Sequence, residues 1–278
     1  MKYFVETFDS IDEMLRAFEK REPNASFKGY TKYSQGVGDA GWKGTETYEE
    51  AVDLIRRGWD EPLAALKDAA KAAGINTNVS TNKIRPRNSV VGYAPHVPNA
   101  ILGLPQSMIA SERVPTKVKA VTIVYSSDCN AGMTTQKFLD AGVVALKIVN
   151  DLELRGYRVR LINEFTCAKY DEEVLEGRVV LKDWRQPIDL KKMAFPLAHV
   201  AMTRRFSFRQ TEVYPGLTSW RGNYGGAYGQ VTDYDKMVKE LRKAKVLHDN
   251  EYYINIKLIK DCKHDAAEVM KRAGITLK

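Results

Sequence analysis

The sequence has 278 residues, of which 44% are hydrophobic and 28% are charged, a composition typical of a folded globular protein. It excludes collagen-like, coiled-coil and wholly disordered chains, and no run reaches the roughly 18 apolar residues that a membrane span needs. The formal net charge is +8, and the three cysteines are too few and too far apart to indicate a disulfide framework. We therefore expect a soluble cytoplasmic protein that makes no membrane contact.

Residues 1–74 carry three helical patterns. The first begins at Ser10, which has the residue type and position of a helix cap, and the second begins at Thr47 and ends near Gly58. A third, alanine-rich pattern covers residues 63–73. Together they predict a helical amino-terminal region over residues 1–74.

Residues 75–116 lose this periodicity. Five prolines fall in this stretch, with small polar residues between them. Proline lacks a backbone N–H and fixes its own backbone angle, so it interrupts helices and central strands alike. We predict an irregular, proline-rich connector over residues 75–116.

Residues 117–278 show the clearest alternation of elements. An almost continuous apolar run over residues 118–125 predicts a strand covered on both faces. A helix to Leu154 and a second strand from Tyr157 follow, which is the pattern of a βαβ unit with parallel strands. Further strands and helices alternate to the end of the chain. The fold class predicted is α/β, a mainly parallel sheet with helices on both faces, plus the helical amino-terminal extension.

The strand, loop and helix after residue 117 resemble a von Willebrand factor A domain. That family begins with a buried strand ending in Asp-x-Ser-x-Ser, whose oxygens bind a divalent cation. Here Tyr125, Ser127 and Cys129 stand at those three positions, so one of the three oxygen ligands is kept. The resemblance implies a von Willebrand A-like, Rossmann-like domain over residues 117–278. The loop formed by Tyr125, Ser127, Asp128 and Cys129 is a degenerate metal site, because a phenol replaces the main carboxylate.

Two other chemistries remain open for this loop. Asp128 with Ser126 and Ser127 could make a poorer ion site, and Cys129 could act as a nucleophile activated by the start of the following helix. The four histidines show no pattern that supports a catalytic cysteine. We expect no catalytic residue, no metal and no cofactor.

A candidate contact surface lies further along the chain. Residues 182–221 contain eight basic and three acidic side chains, with aromatic residues between the arginines. A loop rich in glycine and tyrosine follows, whose rings could stack on bases or fill a pocket of a partner. The residues predicted to form this surface are Arg204, Arg205, Arg209, Arg221, Tyr224 and Tyr228.

With Gly-Trp-Lys-Gly-Thr at residues 41–45 and Gly58-Trp59 ahead of this core and Arg204-Arg205 after its start, the whole chain also resembles proteins of unknown function from bacteriophage and prophage genomes. This looser resemblance implies a phage-related origin without supplying a function. For a phage protein the expected cytoplasmic location is the cytoplasm of the host, and the virion stays open as an alternative. The sequence thus predicts a non-enzymatic binding or assembly module with a protein partner, and leaves the oligomeric state open. The alternative is a nucleic-acid-binding protein that uses the basic surface of residues 182–221.

Overall fold

The computed structural model describes residues 2–29, 31–59, 83–114, 119–128, 132–169, 173–187, 189–216 and 233–275. The chain divides into two compact units. The large unit combines Met1–Thr77 with Ala120–Lys278, and the small unit is Asn78–Lys119. The amino-terminal region and residues 120–278 therefore belong to one unit.

The described residues form strands and helices in both units. The strands are β1 Lys2–Phe8, β2 Lys83–Ser89, β3 Ala94–Pro95, β4 Met108–Val114, β5 Lys119–Ser126, β6 Tyr157–Lys169, β7 Glu173–Lys182 and β8 Glu251–Asn255. The α-helices are α1 Ile11–Lys20, α2 Thr31–Ser34, α3 Ala40–Lys43, α4 Tyr48–Arg57, α5 Val97–Ile101, α6 Thr135–Leu154, α7 Leu190–Ala198, α8 Phe208–Val213, α9 Tyr234–Lys243, α10 Ile256–Asp261 and α11 Ala266–Arg272. A 3₁₀ turn spans Ala25–Phe27, and a π-helix spans Met202–Ser207 directly before α8.

Five strands form the sheet of the large unit, in the order β1-β7-β6-β5-β8. The pairs β1/β7 and β5/β8 are parallel, whereas β6 and β7 are antiparallel. Only three residues separate β6 from β7, too few for the crossover that parallel neighbours require. The α/β class and the mostly parallel sheet are confirmed, with the correction that the sheet is mixed.

The amino-terminal region contains the first two predicted helices and also a strand that the sequence pattern did not indicate. Ser10 caps α1 by accepting a hydrogen bond from the Glu13 N–H, and Thr47 caps α4 in the same way. Before α1, the strand β1 pairs with β7 at the edge of the sheet. The third predicted helix, residues 63–73, lies outside the described residues.

The small unit has an ordered sheet where the sequence predicts an irregular connector. Its three antiparallel strands lie in the order β2-β4-β3, so β2 and β3 are the edge strands. Each edge strand carries a proline, Pro86 in β2 and Pro95 in β3. Edge strands tolerate proline better than central strands do, because only one side of an edge strand must pair.

Most of the buried apolar side chains of the large unit belong to one core. It includes residues from β5, β6, α6 and α7 together with residues from α1 and α4. Among the described residues, no helix is both long enough and apolar enough to cross a membrane.

Candidate functional site

The loop after β5 lies at the carboxyl end of a strand that stands between β6 and β8. In open α/β sheets, ligands bind at carboxyl ends of strands, where the strand order reverses. Ser126, Ser127 and Asp128 are all buried there. Tyr125 is also buried, and its hydroxyl donates to the carbonyl of Leu197 at 3.5 Å. Cys129 lies outside the described residues.

Asp128 belongs to a cluster of three buried carboxyl groups, together with Glu164 of β6 and Glu176 of β7. Thr166 lies in the middle of this carboxyl cluster. Its backbone N–H donates to Oδ2 of Asp128 at 2.9 Å. Its hydroxyl oxygen is 2.8 Å from Oε1 of Glu164 and 3.2 Å from Oε2 of Glu176. Because a hydroxyl carries one proton, it donates to only one of these two oxygens at a time.

The strand register explains why these side chains meet. Glu164 and Thr166 are two residues apart in β6, so their side chains lie on the same face of the sheet. Thr166 stands directly opposite Glu176 in the antiparallel pair, which adds the second glutamate to that face. Sequence analysis missed both glutamates, because an acidic residue that alternates with apolar ones in a strand usually faces water.

Full ionisation of the carboxyl cluster would place three negative charges in a buried space. The basic side chain on the same face, Arg178, is buried and is paired with Glu251 at 3.2 Å. Burial raises the pKa of Asp128 well above its usual range, and the charge of Glu164 raises it further. Burial and then Glu164 raise the pKa of Glu176 in the same way. Protons therefore stay on this cluster at pH values where exposed carboxyl groups have lost them.

The geometry limits what the carboxyl cluster can do chemically. A pair of carboxyl groups with displaced pKa values suits acid and base catalysis, but only where a substrate can reach it. Glu164 and Glu176 have no measurable exposure to solvent. Within the described residues, no group of three or more His, Cys, Asp or Glu side chains is arranged to hold a metal ion.

The three arginines of the predicted contact surface are buried, which differs from the exposed surface that the sequence predicts. The exposed fractions of Arg204, Arg205 and Arg209 are 3%, 0% and 6%. The π-helix and α8 carry them into the large unit, against residues 18–45 of the amino-terminal region. The other predicted contact residues, Arg221, Tyr224 and Tyr228, lie outside the described residues.

Each of these arginines binds backbone carbonyl groups of the large unit. Arg204 donates to the carbonyls of Trp42 and Met133, and its guanidinium lies 4.7 Å from the centre of the Trp42 ring. Arg209 donates to the carbonyls of Phe18 and Arg21 at 3.2 and 2.9 Å. These buried guanidinium groups link the π-helix and α8 to other parts of the large unit, and the carbonyl groups satisfy their hydrogen-bond donors.

The small unit exposes a group of apolar side chains that the sequence analysis did not single out. Ten large hydrophobic residues are exposed among the described residues, and seven of them fall within residues 90–104. We call these seven the apolar segment: Val90, Val91, Tyr93, Val97, Ile101, Leu102 and Leu104. The signal available in the sequence was the concentration of aliphatic residues within a proline-rich stretch.

Hydrogen bonds fix the backbone that carries the apolar segment. Nδ1 of His96 accepts from the N–H of Asn99 at the start of α5, and Nδ2 of Asn99 donates to the carbonyl of Gln106 at 2.8 Å. The N–H of Leu104 donates to the carbonyl of Asn99 at 2.9 Å, and that of Tyr93 to the carbonyl of Ile109. The apolar side chains are thus displayed from an ordered loop and helix.

A protein-family model described as "Domain of unknown function (DUF7192)" matches residues 2–276. The matched range contains every described strand and helix, from β1 to α11, in both units. Searches of curated proteins and of solved structures gave no match.

Proposed function

We propose that this chain, which belongs to the family described as Domain of unknown function (DUF7192), is a non-enzymatic binding module that docks a partner protein through the apolar segment of its small unit. The observation that carries this proposal is the concentration of exposed apolar side chains in residues 90–104. Exposed apolar groups gathered in this way mark interaction sites in soluble proteins.

The degree of exposure supports a docking role. Val91, Ile101 and Leu102 have exposed fractions of 78%, 79% and 71%, so most of the surface of each residue contacts water. Burying such groups stabilises a complex by roughly 25 cal/mol for each Å² of apolar surface removed from water. Most of the apolar surface of these three side chains is therefore left for a contact outside the chain.

The fixed backbone of the segment favours a protein as partner. Its loop and helix are preorganised by the hydrogen bonds around Asn99, so little conformational entropy is lost on binding. A shape held in this way suits a complementary groove on another protein.

Nucleic-acid binding through residues 182–221 is the weaker alternative. Three of the cations on which it depends, Arg204, Arg205 and Arg209, are occupied by carbonyl groups inside the large unit. The apolar segment has one aromatic ring and six aliphatic side chains, whereas stacking on bases depends on aromatic rings.

We assign the large unit a supporting role, as a von Willebrand A-like scaffold. The order of β5, the long helix α6 and β6 supports this assignment. A bacteriophage origin and a cytoplasmic location, which for a phage protein is the cytoplasm of the host, remain predictions from the sequence.

Site-specific photo-crosslinking tests the proposal. A photoreactive amino acid placed at Val91 of the full chain, in native host or infected cells treated with nuclease after lysis, should crosslink one discrete protein. Val37 is the matched control position, because its exposed fraction of 77% is close to the 78% of Val91 and it lies in the large unit. The same crosslink should disappear when Ile101→Ser and Leu102→Ser are added. Identical products at both positions, or no product at Val91, would contradict the proposal.

A further inference from the structure

We propose that the surface bound by the apolar segment is acidic: an apolar depression on a partner protein, rimmed by carboxylate groups. This inference rests on the proposed function and adds the chemistry of the partner. The supporting observations are the positive net charge of the small unit and the prolines and short length of its edge strands.

The small unit holds most of the net charge of the chain. Residues 78–119 contain six basic side chains and one acidic side chain, so the net charge is +5 out of +8 for all 278 residues. The basic residues are Lys83, Arg85, Arg87, Arg113, Lys117 and Lys119, and the acidic residue is Glu112. The one carboxylate, Glu112, pairs with Arg87, and the formal charge of the unit remains positive, which attracts an acidic partner.

Two of these cations are placed for contact. Arg85 and Arg87 are both exposed and are two residues apart in β2, which puts their side chains on the same face of the strand. Arg87 pairs with Glu112 across the sheet at 3.3 Å, and both of those side chains are about half exposed. β2 ends at Ser89, directly before Val90 and Val91, so the guanidinium groups and the apolar segment follow one another along the same strand and turn.

The edges of the small sheet indicate that a partner contacts side chains of this unit and does not add a strand to its sheet. A peptide that adds a strand to a sheet needs a row of free backbone groups along an edge. Both edge strands are interrupted by proline, and β3 is only two residues long. Proline, basic residues and short length are the features that protect edges from strand pairing.

Carboxylates are the groups that fit these cations best on a protein surface. An arginine guanidinium binds a carboxylate through two parallel hydrogen bonds, which adds geometric specificity to the charge attraction. Phosphate groups of nucleic acids or lipids offer the same charge, but neither offers a fixed apolar depression for aliphatic side chains of a preorganised loop. Cations next to exposed aliphatic side chains therefore favour an acidic protein as the partner over a nucleic acid or a lipid surface.

The test uses the protein identified by crosslinking at Val91 and measures its affinity for the purified full-length chain. The variant Arg85→Glu/Arg87→Glu should weaken binding at least about tenfold, because each repulsive contact adds to the loss of an attractive one. Arg16→Glu/Arg57→Glu is the matched control, since it makes the same change in net charge at exposed arginines of the large unit. Raising the salt from about 50 mM to about 300 mM should weaken wild-type binding and leave the residual binding of Arg85→Glu/Arg87→Glu nearly unchanged.

Each other outcome has a defined meaning. If Ile101→Ser weakens binding but Arg85→Glu/Arg87→Glu does not, the acidic partner is wrong and the proposed function stands. If both charge variants weaken binding equally, the effect comes from overall charge, and the assignment to the small unit fails. If neither Ile101→Ser nor Arg85→Glu/Arg87→Glu changes the affinity, both proposals fail. The same variants are tested for binding to phosphatidylserine vesicles and to DNA. If either binding depends on Arg85 and Arg87 as strongly as binding of the crosslinked protein does, the choice of a protein as partner is overturned.

Discussion

Arg205 binds Thr45 through two nitrogens of its guanidinium group. Nε donates to the Thr45 hydroxyl at 3.0 Å, and Nη2 donates to the Thr45 carbonyl at 2.5 Å. The remaining nitrogen, Nη1, donates to the carbonyls of Ser34 and Gly36, both at 3.0 Å. Since the arginine has no exposure to solvent, one side chain of the π-helix fixes three points of the amino-terminal region.

Substitution of Arg205 should therefore reduce stability strongly. Arg205→Met removes the donors from three carbonyl groups, and we expect the free energy of unfolding to fall by about 2 to 4 kcal/mol, measured by urea denaturation. Arg56→Met is the control, because Arg56 forms an exposed pair with Glu19, and such pairs contribute at most about 1 kcal/mol. Equal losses in the two variants would contradict a structural role for Arg205.

The carboxyl cluster should make stability depend on pH in an unusual direction. The pKa values of Asp128 and Glu176 are raised by burial and by Glu164, so the folded chain holds protons that the unfolded chain releases above about pH 4. The contribution of these groups is therefore complete at lower pH and is lost as the pH rises toward their folded values.

Glu176→Gln tests this direction. The amide keeps the shape of the side chain and cannot ionise, so the variant should gain stability relative to the wild type as the pH rises from about 5 to about 8. Urea midpoints measured across this range give the difference directly. Glu19→Gln is a control, because Glu19 is exposed. A difference between Glu176→Gln and wild type that stays constant with pH would show that Glu176 is ionised in the folded chain.

Glu212 offers a second titration, at a separate place in the fold. Burial raises its pKa to about 7, while the hydrogen bond from Ser34 and the charge of Arg209 oppose this increase. The Ser34 hydroxyl donates to Oε2 of Glu212 at 2.5 Å. Ser34→Ala removes a donor that favours the ionised carboxylate, so the pKa of Glu212 should rise further.

Carbon-13 NMR of the glutamate side chains can follow this change. The resonance of Glu212, assigned by its loss in Glu212→Gln, should titrate near pH 7 in the wild type and at higher pH in Ser34→Ala. Because the folded pKa lies above the usual glutamate value, Glu212→Gln should also gain stability relative to wild type as the pH rises through about 7. A midpoint that is unchanged or lower in Ser34→Ala would contradict the proposed effect of the hydrogen bond.

The sequence predicts the strands and helices of the large unit better than it predicts the contacts of individual polar side chains. The apolar run of β5 and the periodicity of α6 are local signals, and both elements are present. The local sequence does not predict that Arg205 is buried. An arginine beside core aromatic residues has the same sequence pattern whether its guanidinium group faces water or backbone carbonyls. Which of these it contacts depends on residues about 160 positions away in the chain.

The sheet of the small unit is also determined by contacts that local sequence patterns do not predict. Its prolines predict a lack of regular structure, yet Pro86 and Pro95 occupy edge strands, where proline is compatible with a sheet. The pairing of β2 with β4 joins residues that are 19 to 31 positions apart, a distance over which local periodicity carries no information. The exposure of the apolar segment follows from that pairing and could not be obtained without it.

Gly177 gives a test of close packing inside the sheet. It lies in β7 directly opposite Phe165 of β6, and the phenyl ring covers the space that a side chain would need. A Cβ atom added at this position would lie 2.1 Å from Cζ of Phe165 and 2.4 Å from Oε1 of Gln210. Gly177→Ala forces the ring to move within a packed interior, so we expect a loss of about 1 to 3 kcal/mol in the free energy of unfolding.

A second substitution tests whether the Phe165 ring, and not alanine itself, causes the loss of stability in Gly177→Ala. Phe165→Leu shortens the obstructing side chain, so its combination with Gly177→Ala should destabilise less than the sum of the two single substitutions. Gly29→Ala is the control, because an added Cβ at Gly29 has no atom within 4 Å and should change stability by less than about 0.5 kcal/mol. Strict additivity of Gly177→Ala and Phe165→Leu in urea denaturation would show that the phenyl ring does not set the cost, and would place the constraint at Gln210 instead.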